Sequence, residues 1–207
     1  MTLRPVCLDA GPFRLRPWRG DDAAVVLAAY RDPEIRIRSL SSVDDLSAAT
    51  AWIDERIDGW RSGAAAAFAV IDPTSGAVLG NVRLRIDHPP VEGEVGYWTL
   101  PAARGRRVAS TALDAVSGWA FGVLGLARLR LIHAVTNPAS CRVADRGGFR
   151  FDRELPPGGR WPTPGHLHLR GAGDQTQPPA LAVTRMRMSS TGEGVRPVVV
   201  PGCRSDI

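Results

Sequence analysis

The 207-residue chain contains no lysine, only two tyrosines and only three cysteines. All 26 basic residues are therefore arginine, a bias that we attribute to genome composition rather than to function. Cys7, Cys141 and Cys203 are widely separated and form no Cys-x-x-Cys pair. This spacing argues against a disulfide framework or a zinc site, so we expect reduced thiols and no bound metal.

Long apolar segments are also missing. The longest apolar run, AAAAFAVI at residues 64–71, is far too short to span a membrane. The N-terminal residues MTLRPVCLDAGPF lack the apolar core of a signal peptide. We therefore expect a cytoplasmic protein without a membrane partner.

The remaining composition is that of an ordinary globular domain. Hydrophobic residues make up 44% of the chain and charged residues 23%. The formal net charge of +5 favours anionic ligands without identifying one. The arginines are scattered and no nucleic-acid recognition motif is present, so a nucleic-acid partner is not expected.

Apolar periodicity divides the chain into strands and helices. The helix predicted at 42–60 carries an apolar stripe of Leu46, Ala49, Ile53 and Ile57. From residue 171 the chain becomes rich in proline, glycine, serine and threonine, so we expect a domain at 11–170 followed by a flexible or loosely packed tail at 171–207. Strands are predicted at 11–18, 65–72, 77–87, 91–100, 127–135, 149–155 and 166–170, and the other helices near 19–32, 105–124 and 138–146.

A strand, a basic turn and a helix follow one another in YWTLPAARGRRVAS, residues 97–110. The first N–H groups of a helix have no partner inside the helix, and its N-terminus is partly positive. Gly105 would allow close backbone approach, and Arg104, Arg106 and Arg107 would add charged donors. The turn is therefore a candidate anion site, although arginines exposed to solvent after a basic loop would give the same pattern.

A second turn begins with Asn137-Pro138, where asparagine suits the N-cap and proline the first helical position. Ser140 then lies in the first turn, where its hydroxyl can face a ligand. A plain helix cap is the alternative interpretation. The neighbouring Cys141 is interpreted as a buried or incidental thiol, because no base is identifiable beside it.

Three ordered segments resemble the GNAT superfamily of N-acetyltransferases, in particular the branch of the ribosomal-protein enzymes RimJ and RimL. They are EVGYW at 94–98, the basic turn at 104–109 and NPASCRVADRGGF at 137–149. The resemblance implies a mixed α/β fold with a mostly antiparallel sheet and helices on both faces. It also implies transfer of an acyl group from acyl-CoA to an amine by direct attack. Arg107 departs from the family pattern, which has glycine there; a positive φ at this position would cost about 1 kcal/mol.

The resemblance assigns roles to individual residues. Glu94 is the candidate base, with Glu92 as the alternative, and Ser140 is the candidate acid that protonates the departing CoA thiolate. No tyrosine follows residue 97, which excludes a tyrosine acid from the later half of the chain. An N–H group of a splayed strand at 98–100 is expected to bind the thioester carbonyl. The expected CoA-binding residues are Trp98, Thr99, Leu100, Arg104, Gly105, Arg106, Arg107, Val108, Ala109, Ser110, Asn137, Ser140 and Arg142.

The acceptor is less closely specified. We expect it to be an amine of a small molecule or of a protein N-terminus. The protein itself is expected to be a monomer or homodimer. Residues 30–60 and 155–170 are expected to shape its pocket, with Arg36, Arg38, Arg160 and Trp161 indicating an anionic or aromatic acceptor. His133 is interpreted as a core residue, and His166 and His168 as acceptor-pocket or surface residues. Because of Arg107, a GNAT domain that binds acyl-CoA as a non-catalytic sensor is the alternative function.

Overall fold

Eight strands form a single sheet in a computed structural model that describes residues 3–39, 42–87, 92–158 and 163–174. The strand order is β1-β2-β3-β4-β5-β6-β8-β7. Every neighbouring pair is antiparallel except β5 and β6, which run parallel. The strands are β1 (Leu8–Ala10), β2 (Phe13–Pro17), β3 (Ala65–Ile71), β4 (Val78–Ile86), β5 (Glu92–Thr99), β6 (Arg128–Ala134), β7 (Arg150–Leu155) and β8 (Gly165–Gly171).

Five α-helices cover this sheet, and their ends carry recognisable caps. The Asp45 carboxylate accepts a hydrogen bond from the Ala48 N–H at 2.7 Å, which caps the third helix, and Gly63 ends that helix in the left-handed region at φ 76°. The helices are α1 (Ala23–Tyr30), α2 (Pro33–Arg38), α3 (Leu46–Ser62), α4 (Val108–Gly122) and α5 (Pro138–Arg146).

The two faces of the sheet bury separate apolar clusters, and β3 contributes to both. Ala66, Phe68 and Val70 pack in the cluster that contains the apolar face of α4. Ala67 and Ala69 point the other way, into the cluster formed by α1, α2 and α3. Period-2 alternation therefore lets one strand support helices on both faces, as predicted.

Most predicted elements are confirmed, with differences at the chain's short or edge elements. β1 and the six-residue α2 were not predicted. The apolar stripe predicted for α3 is wrong at Leu46, which is 55% exposed. The helix instead turns Trp52 and Trp60 toward the core. None of the described helices is long and apolar enough to cross a membrane.

Two further expectations concern cysteine and the C-terminal segment. Cys7 is disulfide-bonded, so the expectation of reduced thiols is wrong for this residue, whereas Cys141 is free. Of the predicted tail, the described part finishes β8 and forms one short 3-10 turn, Ala172–Asp174. Residues 175–207 lie outside the described part of the chain.

A buried ion pair fixes the entrance to α1. The two guanidinium nitrogens of Arg16 donate to the two carboxylate oxygens of Asp22 at 2.7 and 2.8 Å, and the Arg19 N–H donates to the same carboxylate at 2.9 Å. Their side chains are only 11% and 8% exposed.

We expect Asp22→Ala to lower the free energy of unfolding by about 3 kcal/mol, because it leaves the Arg16 charge buried and unpaired. Asp9→Ala is the matched control, since Asp9 pairs with Arg14 at 3.6 Å in a largely exposed position, where such a pair contributes less than about 1 kcal/mol. Urea unfolding of both variants measures the difference. Equal losses would show that the Arg16–Asp22 pair has no special role.

Candidate functional site

The two parallel strands diverge toward their C-terminal ends. β5 and β6 pair only from Glu92 opposite Arg128 to Val95 opposite Leu131, although β5 continues to Thr99 and β6 to Ala134. We call the resulting opening the β5–β6 cleft. The splay that the sequence could not show is therefore present.

Backbone donors point into this cleft from the β5 side. The Leu100 N–H donates to the Leu79 carbonyl at 2.9 Å and is therefore occupied on the β4 side. Because N–H groups alternate along a strand, those of Thr99 and Tyr97 point toward the β6 side. Of the predicted segment 98–100, Thr99 is thus the residue whose N–H faces the cleft.

A hydrogen-bonded triad joins the diverging ends of the two strands. The Tyr97 hydroxyl, from β5, lies 2.9 Å from Ser140 Oγ in the first turn of α5. Asn137 Nδ2 donates to the same oxygen at 2.9 Å, while Asn137 Oδ1 accepts from the Ser140 N–H at 3.2 Å. The second contact fixes the orientation of the Asn137 amide, since only its oxygen can accept from an N–H.

This geometry orients the Ser140 hydroxyl. A serine oxygen has two lone pairs and one proton, and here Tyr97 and Asn137 can donate to both lone pairs. The Ser140 proton is then free to point toward a third group. Burial raises the pKa of Tyr97 to about 12, although the Ser140 hydrogen bond and the charge of Arg38 act in the opposite direction. Tyr97 therefore remains a protonated donor at neutral pH.

The basic turn before α4 has the backbone form expected of an anion site. Arg107 precedes α4 in the left-handed region at φ 60° and is the one non-glycine residue with a positive φ in the described chain, while Gly105 has φ 79°. The Arg104 guanidinium donates to Asp32 at 2.6 Å, and that of Arg106 lies 3.5 Å from Asp72.

These contacts separate the three arginines. Arg104 and Arg106 are each held by an acid, whereas Arg107 is exposed and has no ion-pair partner among the described residues. The side chains of Val108, Ala109 and Ser110 are buried, so these residues present backbone N–H groups to the turn. Arg142 is exposed on α5.

The two candidate bases both lie in ion pairs. Glu94 accepts from Arg85 at 3.2 Å, and Glu92 pairs with Arg128 and with Arg130, the latter at 3.6 Å. Alternation places Glu94 on the face of β5 opposite to Tyr97. The structure therefore does not bring Glu94 into direct contact with the Ser140 triad, and its role as a base stays a prediction.

The remaining predicted residues, Trp98 for CoA and four residues for the acceptor, do not form one group in the structure. Trp98 packs at 5.9 Å from Trp18 and 6.4 Å from Trp52, between ring centroids, on the α1–α3 face. Arg36 pairs with Asp44 at 3.3 Å and Arg38 with Glu34 at 2.6 Å. Arg160 and Trp161 lie outside the described residues.

A second group of side chains meets beside the triad, from β6, α5 and β8. His133 Nε2 lies 3.1 Å from His168 Nε2, and Cys141 Sγ lies 3.5 Å from His133 Nε2 and 3.4 Å from His166 Nδ1. We call these four residues the His/Cys cluster. The absence of a base beside Cys141 was therefore a wrong expectation, and His168, at 2% exposure, is not a surface residue.

Two features were not found from the sequence. Tyr97 was considered only as a limit on where a tyrosine acid could lie, yet it contacts Ser140 across 43 residues. The His/Cys cluster was missed because its members are distant in sequence. The available signal was the His-x-His alternation at 166–168, which puts both rings on one face of a strand.

Comparisons with known proteins agree with this geometry. Residues 13–150 match the family model described as an acetyltransferase (GNAT) domain. No curated protein sequence matches the chain. RimJ from Mycobacterium smegmatis, solved with CoA-disulfide, is similar in structure, with a TM-score of 0.71 and 21% identity over 86% of this chain and 90% of that one.

Two further solved structures are similar. One is the ribosomal-protein-S5-alanine acetyltransferase from Vibrio fischeri, with a TM-score of 0.70 and 18% identity over 82% of this chain and 98% of that one. The other is the microcin C7 self-immunity acetyltransferase MccE in complex with acetyl-CoA and AMP, with a TM-score of 0.68 and 16% identity over 77% and 92% of the two chains. The predicted α/β fold is confirmed.

The left-handed conformation of Arg107 gives a stability prediction. We expect Arg107→Gly to unfold with a free energy about 0.5–1 kcal/mol higher than Arg107→Ala. Glycine relieves a left-handed strain of about 1–2 kcal/mol, and its greater freedom in the unfolded chain returns about 0.5–1 kcal/mol. Both variants remove the guanidinium, so urea unfolding of the pair isolates the backbone effect. If the glycine variant is instead less stable than the alanine variant by about 0.5–1 kcal/mol, Arg107 carries no strain.

Proposed function

Because the chain belongs to the GNAT acetyltransferase family, we propose that it transfers an acyl group, in the simplest case acetyl, from acyl-CoA to a primary amine by direct attack. The observation that supports this proposal is the Tyr97–Ser140–Asn137 triad, in which Tyr97 and Asn137 both contact Ser140 Oγ and leave the Ser140 proton available to a substrate. The thiolate released by the reaction needs a hydrogen-bond donor of this kind.

The residues around the turn before α4 suit the diphosphate of the CoA substrate. The N–H groups of the first turn of α4 provide uncommitted donors at the positive end of the helix. Arg107 is the arginine of this turn whose charge is not already neutralised within the described structure, so we assign it to the phosphates together with Arg142. Asn137 is assigned to the pantetheine arm.

The thioester is assigned to the β5–β6 cleft. Its carbonyl oxygen gains negative charge as the amine attacks, and the Thr99 N–H facing the cleft can stabilise that charge. As the C–S bond breaks, the Ser140 proton moves to the sulfur, Tyr97 returns a proton to Ser140, and Tyr97 regains its own proton from solvent. The amine loses one proton to a base, for which Glu94 is proposed, and the products are an amide and free CoA.

The acceptor proposed is a small amine, with a protein N-terminus as the alternative. The α2 helix is assigned to the acceptor site, because it lies within the segment 30–60 that is expected to shape the acceptor pocket. Ile37 on the same helix is 81% exposed, which leaves an apolar group available to an acceptor. The Vibrio fischeri relative is named for a ribosomal protein, and that name is the support for the alternative.

A second candidate function is a sensor that binds acyl-CoA without turning it over. Arg107 favours it, since a strained side chain occupies the place where the family pattern has glycine. The two functions differ in one measurable property, the release of CoA when an amine is present.

We expect steady release of CoA when the full-length protein is mixed with acetyl-CoA and a panel of small amines and N-terminal peptides. Ser140→Ala should lower kcat by about 10²-fold by removing the proton donor, and Tyr97→Phe should lower it by a smaller factor. The release of CoA thiol is followed with a thiol reagent.

The matched control is Ser117→Ala, which removes a buried serine whose hydroxyl donates to the Leu113 carbonyl inside α4 at 2.7 Å. This variant should keep its kcat. Calorimetry with CoA provides the second readout. Tight CoA binding without turnover on any amine would contradict the enzyme and support the sensor.

Glu94→Gln tests the proposed base. We expect kcat/KM at neutral pH to fall by about 10²-fold, and the deficit to shrink as pH rises through the pKa of the acceptor amine, since the amine then loses its proton without help. Glu92→Gln is the comparison variant, because Glu92 is the alternative base and also lies in arginine ion pairs on the same strand; a pH-dependent loss in this variant alone would assign the base to Glu92. Equal and pH-independent losses in both variants would leave Glu94 with only a structural role.

A further inference from the structure

We propose that His133, Cys141, His166 and His168 form a binding site for one divalent cation of the zinc class. Each residue offers one ligand atom, and the four atoms lie within 4.8 Å of one another. This site goes beyond acyl transfer and does not depend on it, since none of the four residues is needed to hold the acyl-CoA substrate.

Three of the six distances between the donor atoms match the edges of a tetrahedral site. Zinc lies about 2.0–2.1 Å from histidine nitrogen and about 2.3 Å from cysteine sulfur, so tetrahedral edges measure about 3.3 Å between two nitrogens and about 3.6 Å between nitrogen and sulfur. The observed separations are 3.1 Å between the Nε2 atoms of His133 and His168, and 3.5 and 3.4 Å from Cys141 Sγ to His133 and His166.

The protonation of the cluster also suits a cation. His133 Nδ1 lies 2.9 Å from the Ala134 carbonyl, which can only accept, so Nδ1 carries the proton and the Nε2 lone pair faces the cluster. On binding, the Cys141 thiol would lose its proton to solvent and supply a thiolate.

The donor set indicates the class of metal. Three imidazoles and one thiolate in tetrahedral geometry suit zinc and its close analogue cobalt, whereas magnesium and calcium require oxygen ligands. The surroundings are partly apolar, because the ring of Phe151 packs at 5.2 Å from His166 and 5.6 Å from His168, between centroids.

The sheet register explains how three elements reach one point. His133 on β6 lies directly opposite His166 on β8, and His168 lies two residues further along the same face. Cys141 reaches this face from α5, which packs over it. A cation bound here would link α5 to β6 and β8.

Cobalt binding tests the proposal directly. The full-length protein is stripped of metal with a chelator, titrated with Co²⁺, and followed by absorption. We expect one equivalent to bind, with the intense visible bands of tetrahedral Co²⁺ and a thiolate-to-cobalt charge-transfer band in the near ultraviolet. Addition of Zn²⁺ should remove both signals.

The variants assign the signal to the cluster. Cys141→Ser should abolish the charge-transfer band, and His168→Gln should weaken Co²⁺ binding at least about tenfold. His88→Gln is the matched control, since it removes the chain's fourth histidine and should leave the titration unchanged. Circular dichroism checks that each variant is folded.

Thermal unfolding gives an independent readout. Zn²⁺ should raise the Tm of the unmodified protein and leave that of Cys141→Ser unchanged. Absence of saturable Co²⁺ binding, or a charge-transfer band that persists in Cys141→Ser, would overturn the proposal. Neither outcome bears on acyl transfer, because no CoA or amine is present in these measurements.

Discussion

The single parallel pair in an otherwise antiparallel sheet is the constraint on which the site depends. Parallel strands end at the same edge, and here each is followed by a turn and a helix, β5 by α4 and β6 by α5. The N-termini of both helices therefore meet at the edge where the strands diverge. One arrangement thus supplies an opening, the uncommitted N–H donors of the first turn of α4 and two positive helix ends, which together suit an anionic, elongated substrate.

Local features of this arrangement could be predicted from the sequence because their causes are local. The pair Asn137-Pro138 predicts a helix start, and in the structure Asn137 accepts a hydrogen bond from the Ser140 N–H. Alternating or continuously apolar runs predicted seven of the eight strands that the structure describes. The α2 helix was not predicted, because six residues are too few to show a helical period. Asp32-Pro33 nevertheless carried the same kind of helix-start signal.

The parts that could not be predicted depend on register. Tyr97 meets Ser140 only because β5 ends its pairing with β6 at Val95, and no local pattern encodes where two parallel strands separate. The sequence left open whether residue 107 needs a positive φ. In the structure, Arg107 has φ 60°. A side chain is therefore retained there at some cost in strain, and its guanidinium has no ion-pair partner in the part of the chain that the structure describes.

Contacts on two sides hold the first turn of α5, and together they fix the position of Ser140. Successive residues of a helix point about 100° apart, so Ser140 and Cys141 face different neighbours. Ser140 contacts β5 through Tyr97, while Cys141 contacts β6 and β8 through His133 and His166. Because the two contacts constrain rotation of the helix in different directions, they hold the Ser140 hydroxyl in position, and the proposed proton transfer would then require little reorganisation.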